Sequence, residues 1–230
     1  MTRTDRNQLI ALALLAALAF VFIATRYAWV GRGMGFLLWN LFLAVVPVGA
    51  AWLARRMATV AAPSRARAIA LVACSIAWLG FLPNAPYIAT DLMHLRNSRP
   101  AFLWLDALVL GSAAVAGMLA GLLSLRWMHE AALARAMPPW AGWLIVLGAS
   151  VAAGFGVYLG RFQRWNTWDI LTRPGDLLAD AWSTLGEVKV FAFAMMFGLG
   201  LAVGYLVLTL LVGPVPRHVA RARESLTASR

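Results

Sequence analysis

The sequence is short of cysteine, lysine, histidine and acid. Cys74 is its one cysteine. It lies inside an apolar run, so no disulfide can close within the chain and no cysteine metal motif exists. Lys189 is the one lysine among 20 basic residues, so arginine carries the basic charge. There are 9 acids and 3 histidines, and charged residues make up 13% of the chain. Soluble domains carry roughly 25%. The deficit, with 62% hydrophobic residues and a mean hydropathy of +0.76, excludes an ordinary soluble domain. Nor is the excess one large core, because long apolar runs recur along the whole chain. A run of about 18 or more apolar residues reads as a membrane-crossing helix. The short alternating segments of a β-barrel are missing.

What charge there is amounts to +11 net. That value would suit nucleic acid, but the arginines are scattered in short loops between apolar runs and form no single basic face. No nucleic-acid partner is expected. Membrane lipids are, with the arginines setting topology and touching anionic head groups. The N-terminal "MTRTDRNQLIALALLAALAFVFIAT" has the basic start of a signal peptide. Its apolar stretch is long for one and no small-x-small cleavage site follows, so it reads as an uncleaved first span.

The expected fold is an all-α membrane protein, a bundle of about six transmembrane helices forming one integral-membrane domain over residues 1–230. The spans fall near 8–25, 35–53, 67–82, 101–125, 140–160 and 187–211. Pro83 and Pro86 set the end of the third, since proline lacks the amide donor and clashes with the preceding turn. Gly117 with Gly121, and Gly200 with Gly204, form GxxxG pairs, which let helices approach closely within one bundle or at a dimer face.

Alternate loops set the orientation. One side carries Arg3, Arg6, Arg55, Arg56, Arg65, Arg67, Arg126, Arg135, Arg217, Arg221, Arg223 and Arg230, against Asp5, Glu130 and Glu224. The other carries Arg26, Arg32, Arg96, Arg99, Arg161, Arg164, Arg173 and Lys189, against Asp91, Asp106, Asp169, Asp176, Asp180 and Glu187. The more basic side contains both termini and is assigned to the cytoplasm.

Two polar stretches then share the outer side by span parity: "FLPNAPYIATDLMHL" from Phe81, between spans three and four, and "GRFQRWNTWDIL" from Gly160, between spans five and six. In the first, Asp91 and His94 share a helical face at i, i+3. Such a pair can hold a metal or act as a base with its orienting partner. It can equally be a helix cap beside an interfacial histidine. Three histidines cannot gather there, because His129 and His218 fall in the cytoplasmic loop and tail. In the second stretch Trp165 and Trp168 suit the membrane interface. Arg161 and Arg164 oppose the orientation rule. Each either pairs with Asp91, Asp106 or Asp169, or binds an anionic ligand through bidentate bonds.

Residues 176–185, "DLLADAWSTL", place Leu177, Leu178, Ala181, Trp182 and Leu185 on one face. They form a short amphipathic helix in the interface, either roofing a site or anchoring the surface. Asn40, Asp106, Tyr158, Glu187 and Lys189 sit toward the outer ends of their spans. The inner halves carry no ionisable residue at depth, which argues against a proton-coupled pump.

Together the two stretches resemble an uncharacterised bacterial integral-membrane family, a domain of unknown function. The resemblance rests on Pro83, Asn84, Pro86, Tyr87, Thr90, Asp91 and His94, then Gly160, Arg161, Arg164, Trp165, Asn166, Trp168 and Asp169. It implies an inner-membrane protein of several helices and carries no activity, cofactor or ligand. From the residues, the first expectation is a membrane enzyme or binding protein for an anionic amphiphile. Arg161 and Arg164 would hold the anion and Asp91 and His94 would be base or metal ligands, oriented by Asp169 or Asp106. Asn84, Tyr87, Trp165, Asn166 and Trp168 would line the site. The alternatives are a small-solute transporter and a structural protein whose loops are locked by ion pairs. No cofactor is indicated.

Overall fold

In lipid every backbone N–H and C=O must be satisfied within the chain, so apolar runs of this length fold as helices. A computed structural model describes residues 3–31, 33–59, 64–135 and 137–215. Arg32, Arg217, Arg221, Arg223, Glu224 and Arg230, which enter the charge count, and His218 lie outside the described residues. The long helices are α1 (Arg3–Val30), α2 (Phe36–Thr59), α3 (Arg65–Phe81), α5 (Leu103–Ala134), α6 (Pro139–Phe162) and α9 (Val188–Val212). Short helices α4 (Asn84–Thr90), α7 (Asp169–Thr172) and α8 (Pro174–Thr184) complete the set, with no strand among the described residues. Among the described residues six helical segments are long and apolar enough to cross a membrane, which makes this a multi-pass membrane protein.

Helix α5 is the central post, packed on α1, α2, α4, α6 and α9. Alanine and glycine allow this. Ala113, Ala116 and Ala120 are fully buried, and a Cβ on Gly117 would meet the Ala85 carbonyl and the Ile88 side chain of α4 at 2.9 Å. The Gly117–Gly121 pair therefore seats α4 inside the bundle. Gly200 faces open space, and a Cβ on Gly204 would find Leu122 at 3.4 Å.

Two spans differ from expectation. The third α-helix ends at Phe81, just before Pro83, but the chain does not become a loop there: Pro83 itself has helical φ and ψ (−57° and −28°). The chain bends there and continues as α4 and then a 3₁₀ segment, Asp91–Asn97, so one apolar stretch runs from Arg65 to Asn97. Pro86 falls in the first turn of α4, where its missing N–H has no intrahelical partner to lose. The fourth span does not stop near 125 either. Helix α5 runs to Ala134 and buries Arg126, His129 and Glu130, the residues assigned above to a loop.

Those charges can be buried because each is paired. Arg55 bonds Asp5 at 2.7 Å and Glu130 at 2.5 Å, and Arg126 lies 3.4 Å from Glu130. Arg126 also donates to the Gly213 carbonyl beyond α9 at 3.0 Å. At the other end of the bundle Arg26 donates to Asp106 at 3.0 Å. Asp5 and Arg26 are 21 residues apart on α1, and Asp106 and Glu130 are 24 apart on α5. At 1.5 Å per residue the two polar levels stand about 31–36 Å apart, close to the roughly 30 Å of a bilayer's hydrocarbon core.

Candidate functional site

The bend at Pro83 turns the first polar stretch into the bundle, where α6 receives it. A Cβ on Gly156 would run into the Pro83 ring, and one on Gly160 would sit 3.3 Å from the Tyr87 ring. Pro83 and Tyr87 are one turn apart, as are Gly156 and Gly160, so the two rows nest. Asn84 then ties the stretch to the second one. Its amide donates to the Phe81 carbonyl at 2.9 Å and to the Thr167 hydroxyl at 3.1 Å, and that hydroxyl donates back at 3.2 Å.

Asp91 follows, 1% exposed. Its carboxylate accepts from the Asn40 amide at 2.9 Å and from Arg161 Nη1 at 3.2 Å. Arg161 also donates to the Thr90 carbonyl at 2.8 Å and the Tyr87 hydroxyl at 3.3 Å. Its Nε–H is buried with no acceptor among the described residues. Asn40 stands 15 residues from Arg55 on α2, about 22 Å along the helix axis. Asp91 is therefore within the apolar layer, not in a loop. His94 stays at the edge: Nε2 is 3.9 Å from Asp91 Oδ1, and its ring packs on Phe36.

The second stretch leaves α6 through a left-handed turn at Arg164 (φ 61°). The Trp165 N–H closes that turn on the Leu159 carbonyl at 3.2 Å. Asn or Gly usually occupies such a position, and nothing in the local sequence announces an arginine there. The turn swings Trp165–Trp168 back over the bundle. Trp168 stacks on Trp39 with ring centroids 6.2 Å apart. Asp169 opens α7, and its carboxylate accepts from the Asn166 backbone N–H at 2.8 Å and from Arg173 at 3.1 Å. The Asn166 N–H, followed by Arg173 and Thr172, holds its carboxyl below the usual carboxylate range.

Between the two stretches lies a cleft of about 190 Å³. Asn84, Tyr87, Trp165, Asn166 and Trp168 all line it. Trp39, Asn40, Thr167 and apolar residues including Gly156, Ile170 and Leu177 also line it; of these only Asn40 and Leu177 had drawn notice in the sequence. Arg161 and Asp91 stand directly behind, on the residues that line it. Helix α8 contributes Leu177 and is tied down by the Trp165 indole, which donates to Asp180 at 3.1 Å.

Three of the expected residues have other surroundings. Asp106 pairs with Arg26, Asp169 is occupied by the Asn166 N–H and Arg173, and Arg164 is exposed with no ion pair among the described residues. Among those residues no three His, Cys, Asp or Glu side chains gather as a metal site. Asp91 and His94 remain a two-residue set.

The family model for a protein of unknown function (DUF1361) matches residues 39–203. That is well over half of the chain. The chain belongs to the DUF1361 family. The matched region begins at Trp39, so every residue lining the cleft falls inside it, whereas Asp5 and Arg26 of α1 fall outside. No curated protein and no solved structure matches the chain.

Proposed function

We propose that this DUF1361 protein binds or acts on an anionic amphiphile, of the phospholipid or polyprenyl-phosphate class, in the cleft beside Asp91. The cleft would open on the outer face of the bacterial inner membrane, with both termini in the cytoplasm. The observation that carries the reading is the shared cleft. Two segments about 80 residues apart in sequence wall one polar opening inside the apolar layer. Trp39 and Trp168 are half-exposed at it. Its volume suits a headgroup, while the chains stay in lipid.

Each residue has a chemical task in this reading. Arg164, exposed and without an acidic partner, meets the anion first. Arg161 stays paired with Asp91 and offers its spare Nε–H. Asn84, Asn166, Tyr87 and Thr167 supply hydrogen bonds, and the indoles cover the apolar shoulder of the headgroup. Asp91 and His94 are the base and its neighbour if a bond is broken.

A second reading has its own support. The Arg161–Asp91 pair and the Asn84–Thr167 exchange join the two stretches without any ligand, as a structural lock would. Transport has less support, since Val48, Trp78, Leu82, Ala149 and Ala153 pack as one core toward the Glu130 end.

The test is retention of a polyprenyl phosphate by the purified full chain, measured by native mass spectrometry. Asn166 offers no side-chain bond to the scaffold among the described residues, so Asn166→Ala and Trp168→Ala are the variants. Loss of retention with an unchanged melting temperature supports the binding reading. Unchanged retention, or variants that fail to accumulate, overturns it in favour of the lock.

A further inference from the structure

The Glu130 end holds a second opening that the cleft reading does not use. Helices α1 and α2 barely touch, and a groove of about 420 Å³ runs between them, lined by Leu9, Leu12, Val45, Gly49, Trp52 and Trp127 among others. Its walls are almost wholly apolar. From Trp52 up to Phe42 it spans ten residues of α2, about 15 Å along the axis. It therefore lies parallel to the helices, where an acyl chain would lie.

One end of the groove carries positive charge. The exposed Arg56 guanidinium sits 4.5 Å over the ring of Trp52, a lining residue, with no carboxylate partner among the described residues. Arg6 is exposed on α1, next to the Asp5 that Arg55 grips. The neighbouring acids Asp5 and Glu130 are engaged by Arg55 and Arg126. A cation therefore stands at the end of an apolar slot.

A glycerophospholipid with an anionic headgroup has the complementary pattern: a negative charge for the arginine and a chain for the slot. We infer that the α1–α2 groove is a binding site for one anionic glycerophospholipid. Its phosphate lies against Arg56, and one acyl chain runs along Gly49. The site is separate from the cleft, since the two share no lining residue.

Gly49 provides a clean test, because a Cβ there meets nothing within 4 Å. Gly49→Leu fills the groove without displacing the scaffold, and Arg56→Gln removes the exposed charge alone. The purified full chain is titrated with phosphatidylglycerol and with phosphatidylcholine of matched acyl chains, read by native mass spectrometry, in the Asn166→Ala background so that lipid held in the cleft is not counted. With the groove intact, that chain should hold one phosphatidylglycerol in preference to phosphatidylcholine. Arg56→Gln should weaken phosphatidylglycerol about fivefold, the worth of one arginine at an anionic surface, and leave phosphatidylcholine unchanged. Gly49→Leu should abolish the one-lipid complex at an unchanged melting temperature. Equal binding of the two lipids with the groove intact, or full binding by Gly49→Leu, overturns the inference. Asn166→Ala, at the cleft, should leave this complex intact, so failure of one site is distinguishable from failure of the other.

Discussion

Arg161 on α6 and Asp91 at the start of the 3₁₀ segment stand 3.2 Å apart, although 70 residues separate them in sequence. The pair lies between the two polar stretches and joins them. Its carboxylate is shielded from solvent almost completely, so it belongs to the class in which loss of one partner leaves a charge stranded.

Breaking that pair from either side should therefore be costly. Asp91→Asn and Arg161→Gln are each expected to destabilise the chain by about 3 kcal/mol. The double variant should recover a large part of the sum. A double-mutant cycle on thermal unfolding in detergent checks this. Additive losses would show that the two groups do not interact.

Arg164 should respond in the opposite sense. Its left-handed backbone disfavours any residue with a Cβ by about 1–2 kcal/mol. Arg164→Gly is expected to hold or raise the melting temperature, and the β-branched Arg164→Val to lower it. Equal melting temperatures for the two variants would remove the strain from that turn.

The bond from the Asn166 N–H to Asp169 that caps the turn before α7 should depend on acid. Asp169 has a lowered folded pKa, so its contribution is complete above the unfolded value of about 3.9. It is lost as the pH falls through the lowered folded value. Protection of the Asn166 amide, corrected for intrinsic exchange, should fall only in that acid window. In Asp169→Asn the protection should be low at every pH. Equal protection in the two proteins would rule the cap out.

The α6–α9 contact should be intolerant of a single methyl group. A Cβ on Gly154 would enter the Ala194 carbonyl, and one on Gly198 would come within 2.7 Å of Val151 Cα. Gly154→Ala and Gly198→Ala should each cost about 2 kcal/mol by overpacking. Gly200→Ala, facing open space, should cost little. Comparing the three melting temperatures tests the crossing directly.

The apolar runs made the six spans legible, because length and hydropathy alone require helices in lipid. Counting spans put Asp91 and Arg161 at one end of the bundle. Rotation about each helix axis was not legible: Asp106 was a candidate partner for Arg161, but it faces α1 and pairs with Arg26. Asn40 was visible as a polar residue near a helix end, though its bond to Asp91 depends on a contact between α2 and the third span. The charges of Arg126 and Glu130 read as a loop because their i, i+4 pairing was not set against their cost of burial. Pro83 read as the end of the third helix, and α3 does end at Phe81, but a sequence window could not show that the chain continues as packed helical turns in place of a loop.

The spacing of the two charged tiers on α1 and α5 makes the molecule a gauge of bilayer thickness. Neither tier can slide toward hydrocarbon without carrying ionic groups with it, and the helices that bear them have a fixed rise per residue. A membrane thinner than the tier separation must be met by tilting the helices or stretching the surrounding lipid, at fractions of a kcal/mol per Å. Since α1 supplies one anchor at each tier, that strain would fall first on the seam between α1 and the helices beside it.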